Sequence, residues 1–298
     1  MLVLTLAILV LLNARAVLSS CAHGTYLLRR ATDDDKPIEL PNFGYGPFDG
    51  PTSWQSLSPD NVLCSSGRSQ SPIDVDSTIS QVPAGLLRMN VPVQDATFLN
   101  LRTTVEVALQ GSTTINGREF ALEQFHFHTP SEHAMNGECF MAEVHLVHSA
   151  IDNPKELVVV ALMVQATADH SIRSLDRVLS NIDRISSPGN KTTLPALNIA
   201  DISSLVNTQP FHTYLGSLTT PPCTEGVRFF ILSQPIPMHI NIFNSLKAVV
   251  GHNARFLQNN NPANQNVLAA ACHAIPGEAR NNTATRPAMV ATSSVRYP

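Results

Sequence analysis

Two short segments decide the fold: Gln124-Phe125-His126-Phe127-His128 and Glu143-Val144-His145-Leu146-Val147-His148. In a β-strand, alternate side chains point to the same face. His126 and His128 therefore share one face of the first strand, and Phe125 and Phe127 lie on the opposite face, where they suit a core. The connection contains Pro130 and an Asn136-Gly137 turn signal, which predicts that the two strands run antiparallel and side by side.

This pairing lets His126, His128 and His145 converge, and three converging imidazoles predict a catalytic zinc site. Neutral ring nitrogens bind Zn²⁺ tetrahedrally, and three protein ligands leave the fourth position open. Each ligand also needs an acceptor on its other ring nitrogen. Gln124 and Glu143 lie on the same faces as the ligands, two residues earlier, and are predicted to be those acceptors. Two alternatives remain open at this point: a hairpin with surface histidines and a cupin-like metal site.

The composition indicates a folded protein without the basic surface that is typical of nucleic-acid-binding proteins. Of 298 residues, 43% are hydrophobic and 14% are charged, which favours a buried core over general disorder. The net charge of −4 provides no basic surface for nucleic acid. We expect a small-molecule substrate, and the sequence leaves the oligomeric state undetermined.

The first 20 residues resemble a signal peptide. The apolar run from Leu2 to Leu12 is shorter than the roughly 20 residues that span a bilayer, so no transmembrane segment is predicted. Ala14-Arg15-Ala16 offers a cleavage site, and secretion is the expected outcome. The alternatives are an uncleaved start and a lipoprotein that is anchored through Cys21. Two sequons, at Asn190 and Asn281, are candidate glycosylation sites in a secreted chain.

Short apolar or alternating runs, broken by turn residues, predict a mainly β (α+β) domain over residues 41–262. A polar flexible leader over 21–40 precedes it, and a disordered tail over 263–298 follows it. Helices are expected only at 171–182 and 241–250. The predicted strands are Thr104–Leu109, Phe120–His128, Phe140–His148, Leu157–Val164 and Val227–Leu232.

Several motifs in order along the chain resemble the α-class carbonic anhydrases, over roughly residues 42–258. The histidine segments resemble the zinc-binding strands of that family. The other motifs are Phe43-Gly44-Tyr45-Gly46 with Trp54, Arg68-Ser69-Gln70-Ser71-Pro72-Ile73-Asp74, Ser131-Glu132-His133, and Ser217-Leu218-Thr219-Thr220-Pro221-Pro222-Cys223-Thr224-Glu225. The resemblance implies a single domain around a large, twisted, mostly antiparallel sheet. It also implies reversible hydration of carbon dioxide to bicarbonate and a proton by a zinc-bound hydroxide.

The same resemblance assigns roles to further residues. Thr219 and Glu132 match the pair that orients the hydroxide in the family. Val147, Val159, Leu218 and Val227 are expected to form an apolar pocket for carbon dioxide, with Thr220 beside it. Phe229 stands where the family often has tryptophan. His133 and His148 are not expected to be ligands.

At the cleft mouth this sequence departs from the family. The position that often carries a proton-shuttling histidine falls at Thr103, which cannot titrate near neutral pH. Slower turnover in dilute buffer, or a different proton relay, is therefore expected. Tyr45 is retained at the mouth, where it is expected to help order water.

Five cysteines are present, at 21, 64, 139, 223 and 272. Without Cys21, four remain, and their spacing alone leaves three pairings open. The family resemblance implies a Cys64–Cys223 disulfide, and it leaves the pairing of Cys139 and Cys272 open.

Two other functions are alternatives to carbon dioxide hydration for this chain. One is a carbonic-anhydrase-like binding module that has lost catalysis, although such modules typically lack a ligand histidine. The other is a secreted zinc hydrolase that acts mainly on esters, although no further substrate pocket is evident in the sequence.

Overall fold

The computed structural model describes Ser20–Cys21, Thr25–Tyr26, residues 38–260 and residues 266–274. The predicted signal peptide, except Ser20, lies outside the described residues, as do most of the leader, the sequon at Asn281 and the end of the tail.

Strands form most of the regular structure. Their bounds are β1 Ser20–Cys21, β2 Thr25–Tyr26, β3 Asp74–Val75, β4 Ser80–Val82, β5 Leu87–Asn90, β6 Gln94–Asn100, β7 Val105–Ile115, β8 Arg118–His128, β9 Ala134–Met135, β10 Glu138–Cys139, β11 Ala142–Ala150, β12 Leu157–Thr167, β13 Lys191–Leu197, β14 Phe211–Ser217, β15 Glu225–Leu232 and β16 Ile236–His239.

The helices are short by comparison. They are α1 Trp54–Leu57, α2 Leu63–Ser66, α3 Arg173–Leu179, α4 Ala200–Thr208, α5 Ile240–Val250 and α6 Val267–Ala274, with 3-10 turns at Pro59–Val62 and Ile182–Ile185. The two helices predicted from sequence correspond to α3 and α5. Helix α4, with nine residues, was not predicted from the sequence.

One sheet of 11 strands organises the described residues, in the order β13-β6-β7-β8-β11-β12-β15-β14-β4, with β5 paired to β7 and β16 to β12. Only β12 forms parallel pairs, with β15 and β16, and the other pairs in this sheet are antiparallel. The predicted fold class, mainly β around a large and mostly antiparallel sheet, is confirmed.

The two faces of this sheet contribute to two different hydrophobic clusters. Along β12, Val158, Val160 and Leu162 join the main core, which α3, α4 and α5 cover. The alternate residues Val159, Ala161 and Met163 join a smaller apolar cluster on the other face. Because side chains alternate along a strand, the sheet packs its helices on one side and leaves the other side for the functional groups.

The connection between the two histidine strands contains the predicted turn. Asn136 and Gly137 have φ values of 52° and 81°, and they join β9 to β10 as a two-residue hairpin. Left-handed φ angles at both central residues favour an Asn-Gly pair at this position.

Regular structure is also present in both flanking segments. Ser20–Cys21 pairs with Thr25–Tyr26 in an antiparallel ladder within the predicted signal and leader region. Helix α6 lies inside the predicted disordered tail. Its beginning is held by Asn266, which is 2% exposed. The Asn266 Oδ1 atom accepts from the backbone N–H groups of Leu268 and Ala269, at 3.0 and 3.1 Å.

Asn266 also ties α6 to the domain, because its Nδ2 donates to the carbonyl oxygen of Cys64 at 3.3 Å. Loss of a helix cap together with a buried hydrogen bond costs about 1–2 kcal/mol. We therefore expect Asn266→Ala to lower the free energy of unfolding by about that amount, measured by urea denaturation. Asn153→Ala, at an exposed surface turn, is the control. Equal stability of the two variants would show that α6 does not contribute to the fold.

Candidate metal centre

Strand pairing places the three predicted ligands at one point. His145 on β11 is the direct register partner of His126 on β8, and Glu143 is the partner of His128. Direct partners on paired strands share a face. One ring nitrogen of each of His126, His128 and His145 lies within 4.8 Å of the others. All three side chains are buried in the face of the sheet opposite the helices.

Each of the three imidazoles is held from behind by an acceptor. Nδ1 of His126 lies 2.9 Å from Oε1 of Gln124, and Nε2 of His145 lies 2.7 Å from Oε1 of Glu143. Nδ1 of His128 lies 2.8 Å from the backbone carbonyl oxygen of Asn253. These oxygens only accept hydrogen bonds, so the rear nitrogen of each ring carries the proton. The lone pair of each neutral ring is then on the nitrogen that can bind a metal. This donor set fits Zn²⁺.

Sequence reasoning placed Gln124 and Glu143 behind their histidines but missed Asn253. The acceptor behind His128 is the backbone carbonyl of Asn253, which lies 125 residues further along the chain. A pattern of side chains in the sequence cannot reveal a backbone acceptor.

Glu143 is the most heavily bonded of these acceptors. Its Oε1 also lies 2.7 Å from Nδ1 of His133, and its Oε2 accepts from the backbone N–H groups of Glu132 and His133 at 2.8 and 2.9 Å. Burial opposes the charge of this carboxylate, but His133, His145 and the hydrogen bonds hold the pKa of Glu143 well below its usual value. The residue is therefore an ionised acceptor.

A second group of possible ligand atoms, from His133, Glu143 and His145, is a hydrogen-bond network. Nδ1 of His133 contacts Glu143, and its Nε2 lies 2.6 Å from the hydroxyl of Tyr214. The Tyr214 hydroxyl donates in turn to Oγ of Ser71 at 2.7 Å. Both ring nitrogens of His133 are thus engaged in hydrogen bonds.

Glu132 lies beside the histidine cluster. Its Oε2 is 3.3 Å from Nε2 of His128, and its Oε1 accepts from the backbone N–H of Arg255 at 3.0 Å. Burial raises the pKa of the Glu132 carboxyl well above its usual value, and hydrogen bonds from the Thr219 side chain and the Arg255 backbone oppose that rise. Thr219 is buried as well, at 6% exposure. A divalent cation at the adjacent histidines would favour the ionised carboxylate.

A disulfide holds the loop that carries Thr219. Cys64 and Cys223 are bonded, with Cα atoms 5.0 Å apart and a sequence separation of 159. This confirms the pairing that the resemblance implied. Within the loop, the backbone N–H of Cys223 donates to the carbonyl of Thr220 at 2.8 Å, and that of Leu218 donates to Thr224 at 2.9 Å. Cys139 is exposed and in no disulfide with the other described cysteine side chains.

The predicted apolar wall forms one cluster next to the histidines. Val147, Val159, Leu218 and Val227 are each at most 3% exposed and pack with Phe229 in the smaller core. The Phe229 ring stands edge-on to His145, with centroids 5.9 Å apart, and stacks on Tyr214 at 5.2 Å. Thr220 is also buried. An apolar surface thus adjoins the polar centre.

The two residues predicted at the cleft mouth lie in different settings. Tyr45 is half-buried and packs edge-on against Trp54, with ring centroids 5.6 Å apart. Burial and the nearby Glu132 charge raise the pKa of its hydroxyl. Thr103 is only 3% exposed. Its carbonyl accepts from Nδ2 of Asn253 at 2.9 Å, which ties this part of the backbone to the segment that holds His128.

The exposed residue of that turn is Arg102, which has a left-handed φ of 71°. Its backbone N–H donates to Oδ1 of Asn100 at 2.8 Å, and its guanidinium donates to the carbonyl oxygens of Pro41 and Phe43. Arg102 therefore attaches the segment that carries Tyr45 to the turn between β6 and β7. Sequence reasoning gave Arg102 no role.

Comparison with known proteins agrees with this geometry. The sequence pattern described as "Eukaryotic-type carbonic anhydrase" matches residues 49–268. A carbonic anhydrase of Neisseria gonorrhoeae is 33% identical over 231 residues, which cover 75% of this chain and 81% of that protein.

Two solved structures show the same fold. The fungal α-carbonic anhydrase of Aspergillus oryzae has a TM-score of 0.74 and 35% identity, over 79% of this chain and 100% of that one. Dioscorin, solved as a complex with ascorbate, has a TM-score of 0.65 and 31% identity, over 73% and 94% of the two chains.

The sheet and the histidine centre define a protein of the α-carbonic anhydrase type. The chain belongs to the carbonic anhydrase family, and this membership supports hydration of carbon dioxide as its enzymatic activity. The disulfide is typical of an oxidising location. Among the described helices, none is long and apolar enough to cross a membrane.

The burial of His148 predicts that the stability of the protein depends on pH, and this effect does not involve the metal centre. His148 faces the main core, with Nε2 2.9 Å from Oγ1 of Thr113, and burial lowers its pKa from 6.5 to about 4. In the unfolded chain the ring has its ordinary pKa, so the unfolded state binds more protons between about pH 6.5 and pH 4. Stability from neutral His148 is therefore present above about pH 6.5 and is lost as the pH falls through 4.

Because of His148, we expect the free energy of unfolding of the metal-free protein to fall by about 2 kcal/mol between pH 7 and pH 4.5. Urea denaturation at each pH measures this change. His148→Gln removes the titration and should reduce the pH-dependent loss by that amount. His170→Gln, at an exposed histidine, should leave the loss unchanged. Identical pH profiles for His148→Gln and the parent protein would contradict the assignment.

Proposed function

We propose that this protein catalyses the reversible hydration of carbon dioxide to bicarbonate and a proton, with Zn²⁺ held by His126, His128 and His145. The observation that carries the proposal is the set of three buried imidazoles, each with an acceptor behind it. The acceptors fix the tautomers and orient the rings before a metal arrives.

When bound there, Zn²⁺ would lower the pKa of a coordinated water to near 7, which supplies a nucleophile at neutral pH. The protein's contribution is orientation. With Glu132 ionised, the Thr219 hydroxyl donates its only hydrogen to that carboxylate, so its oxygen can only accept at the centre. The pair therefore imposes one direction of hydrogen bonding on whatever occupies the reacting position.

The apolar wall suits the substrate. Carbon dioxide is small and carries no hydrogen-bond donor, and the cluster of Val147, Val159, Leu218 and Val227 offers it a dry surface beside the histidines. Thr220 is the polar neighbour of that surface. An ester substrate would need more room, so esterase activity is proposed only as a side reaction.

We also propose that the protein is secreted. The disulfide agrees with this location, and Asn190 is exposed in the turn before β13, where a glycan has room. Anchoring through Cys21 is the alternative location.

The direct test is stopped-flow hydration of carbon dioxide, with zinc content measured on the same sample. We expect about one zinc per chain, and a loss of activity of about a hundredfold or more in His128→Ala, because a ligand is removed. His170→Ala, at an exposed histidine outside the centre, should keep full activity. One zinc per chain without hydration would reject the enzyme and favour the binding module.

Proton release provides a second test. The β6–β7 turn, Asn100 to Thr104, contains no group that titrates near neutral pH, so we propose that buffer takes up the proton. We expect kcat to rise several-fold as an imidazole buffer of pKa near 7 is increased from dilute concentrations, while kcat/KM stays constant. A kcat that is independent of buffer concentration would show that the protein has an internal relay.

A further inference from the structure

A strap after α5, buried from Asn253 to Arg255, contacts both halves of the centre. Gly251 to Gln258 runs between the end of β8 and the segment that begins at Gln70. Asn253 binds the β8 end, since its Oδ1 accepts from the backbone N–H of Thr129 at 2.7 Å, and its carbonyl holds His128. Two residues later, the backbone N–H of Arg255 donates to Glu132. The strap is therefore placed to control the position of Glu132.

Arg255 is one of the largest fully buried side chains, although it carries a charge. Its Nη1 donates to Oε1 of Gln70 at 2.9 Å and to the carbonyl oxygen of Ser71 at 2.7 Å. Its Nη2 donates to the carbonyl oxygen of Cys64 at 2.9 Å, and its guanidinium lies over the Trp54 ring at 5.8 Å.

Resting on the proposed function, we propose that Arg255 is a positioning residue for the reaction: its guanidinium fixes the strap so that its own backbone N–H holds the Glu132 carboxylate toward Thr219. The side chain makes no contact with the reacting position, and its effect passes through Glu132.

The geometry of the contacts requires an arginine. The three acceptors lie on the segment from Gln70 to Ser71 and on Cys64, and a planar fork reaches all of them with fixed angles. An ammonium group on a shorter stem keeps the charge but loses the fixed angles. The strap backbone can then shift, and the hydrogen bond from the amide at position 255 to Glu132 lengthens. Cys64 also forms the disulfide to the loop that carries Thr219. Arg255 and that loop are therefore both attached to Cys64.

The test is a double-mutant cycle with Arg255→Lys and Glu132→Gln, in saturating Zn²⁺, which stabilises the folded state by mass action. We expect Arg255→Lys to lower kcat/KM about tenfold with KM and zinc content unchanged. In the Glu132→Gln background the same change should lower kcat/KM less than twofold. A purely structural role would lower kcat/KM equally in both backgrounds, and that result would overturn the proposal.

A matched control and a milder variant complete the cycle. Arg118→Lys makes the same change at a partly exposed arginine that pairs with Asp152 and Glu156, and it should leave kcat/KM unchanged. Where Arg255→Lys does not fold, Gln70→Ala removes only one acceptor of the fork. Its effect on kcat/KM should likewise vanish in the Glu132→Gln background, and persistence there would overturn the proposal.

Hydrogen exchange distinguishes this proposal from the proposed function. In the metal-free protein, the amide at position 255 should exchange at least tenfold faster in Arg255→Lys than in the parent, and Arg118→Lys should have no such effect. Unchanged exchange at position 255 would reject the positioning role whether or not the protein hydrates carbon dioxide. Faster exchange in a protein without hydration activity would reject only the enzyme.

Discussion

The rear hydrogen bonds of three buried imidazoles are the constraint on which the rest of this structure depends. A buried neutral histidine must place both its donor and its acceptor nitrogen. Here the donors meet Gln124, Glu143 and the carbonyl of Asn253, so the opposite nitrogen of each ring is the one that a shared metal would use in the proposed function. Two of these oxygens come from the same strands as their histidines, and the third arrives from a distant strap. The sheet, the strap and the long connections between them must all be in place before the centre is complete.

The polar groups around the centre form linked networks. Glu143 joins His145 to His133, and His133 continues through Tyr214 to Ser71. Arg255 joins Ser71 and Gln70 to Cys64, and Cys64 is bonded to the loop of Thr219. Buried polar groups are costly when unpaired, so networks of this kind keep side chains in one arrangement. This rigidity suits the proposed function, in which Glu132 and Thr219 hold one orientation.

The apolar side of the site follows from the same sheet. Val159 and Phe229 are neighbours on the parallel strands β12 and β15, and Val147 lies opposite Val159 on β11. Their alternate neighbours on each strand fill the main core, so the strands are apolar on both faces. A strand that is buried on both sides cannot show an alternating pattern, and only its position in the sheet separates pocket residues from core residues.

The sequence by itself determined the strand identity of the two histidine segments, the face that the ligands share, and the acceptors two residues before His126 and His145. These features are local, because alternation along a strand fixes which side chains point together. The resemblance to a known family added the disulfide and the Thr219–Glu132 pair. Only the tertiary structure revealed the Asn253 carbonyl, the Arg255 anchor, the burial of Thr103 and the helix α6 in a segment without periodicity. These depend on backbone groups and on contacts between segments far apart in the chain, and side-chain patterns along a sequence carry no record of such contacts.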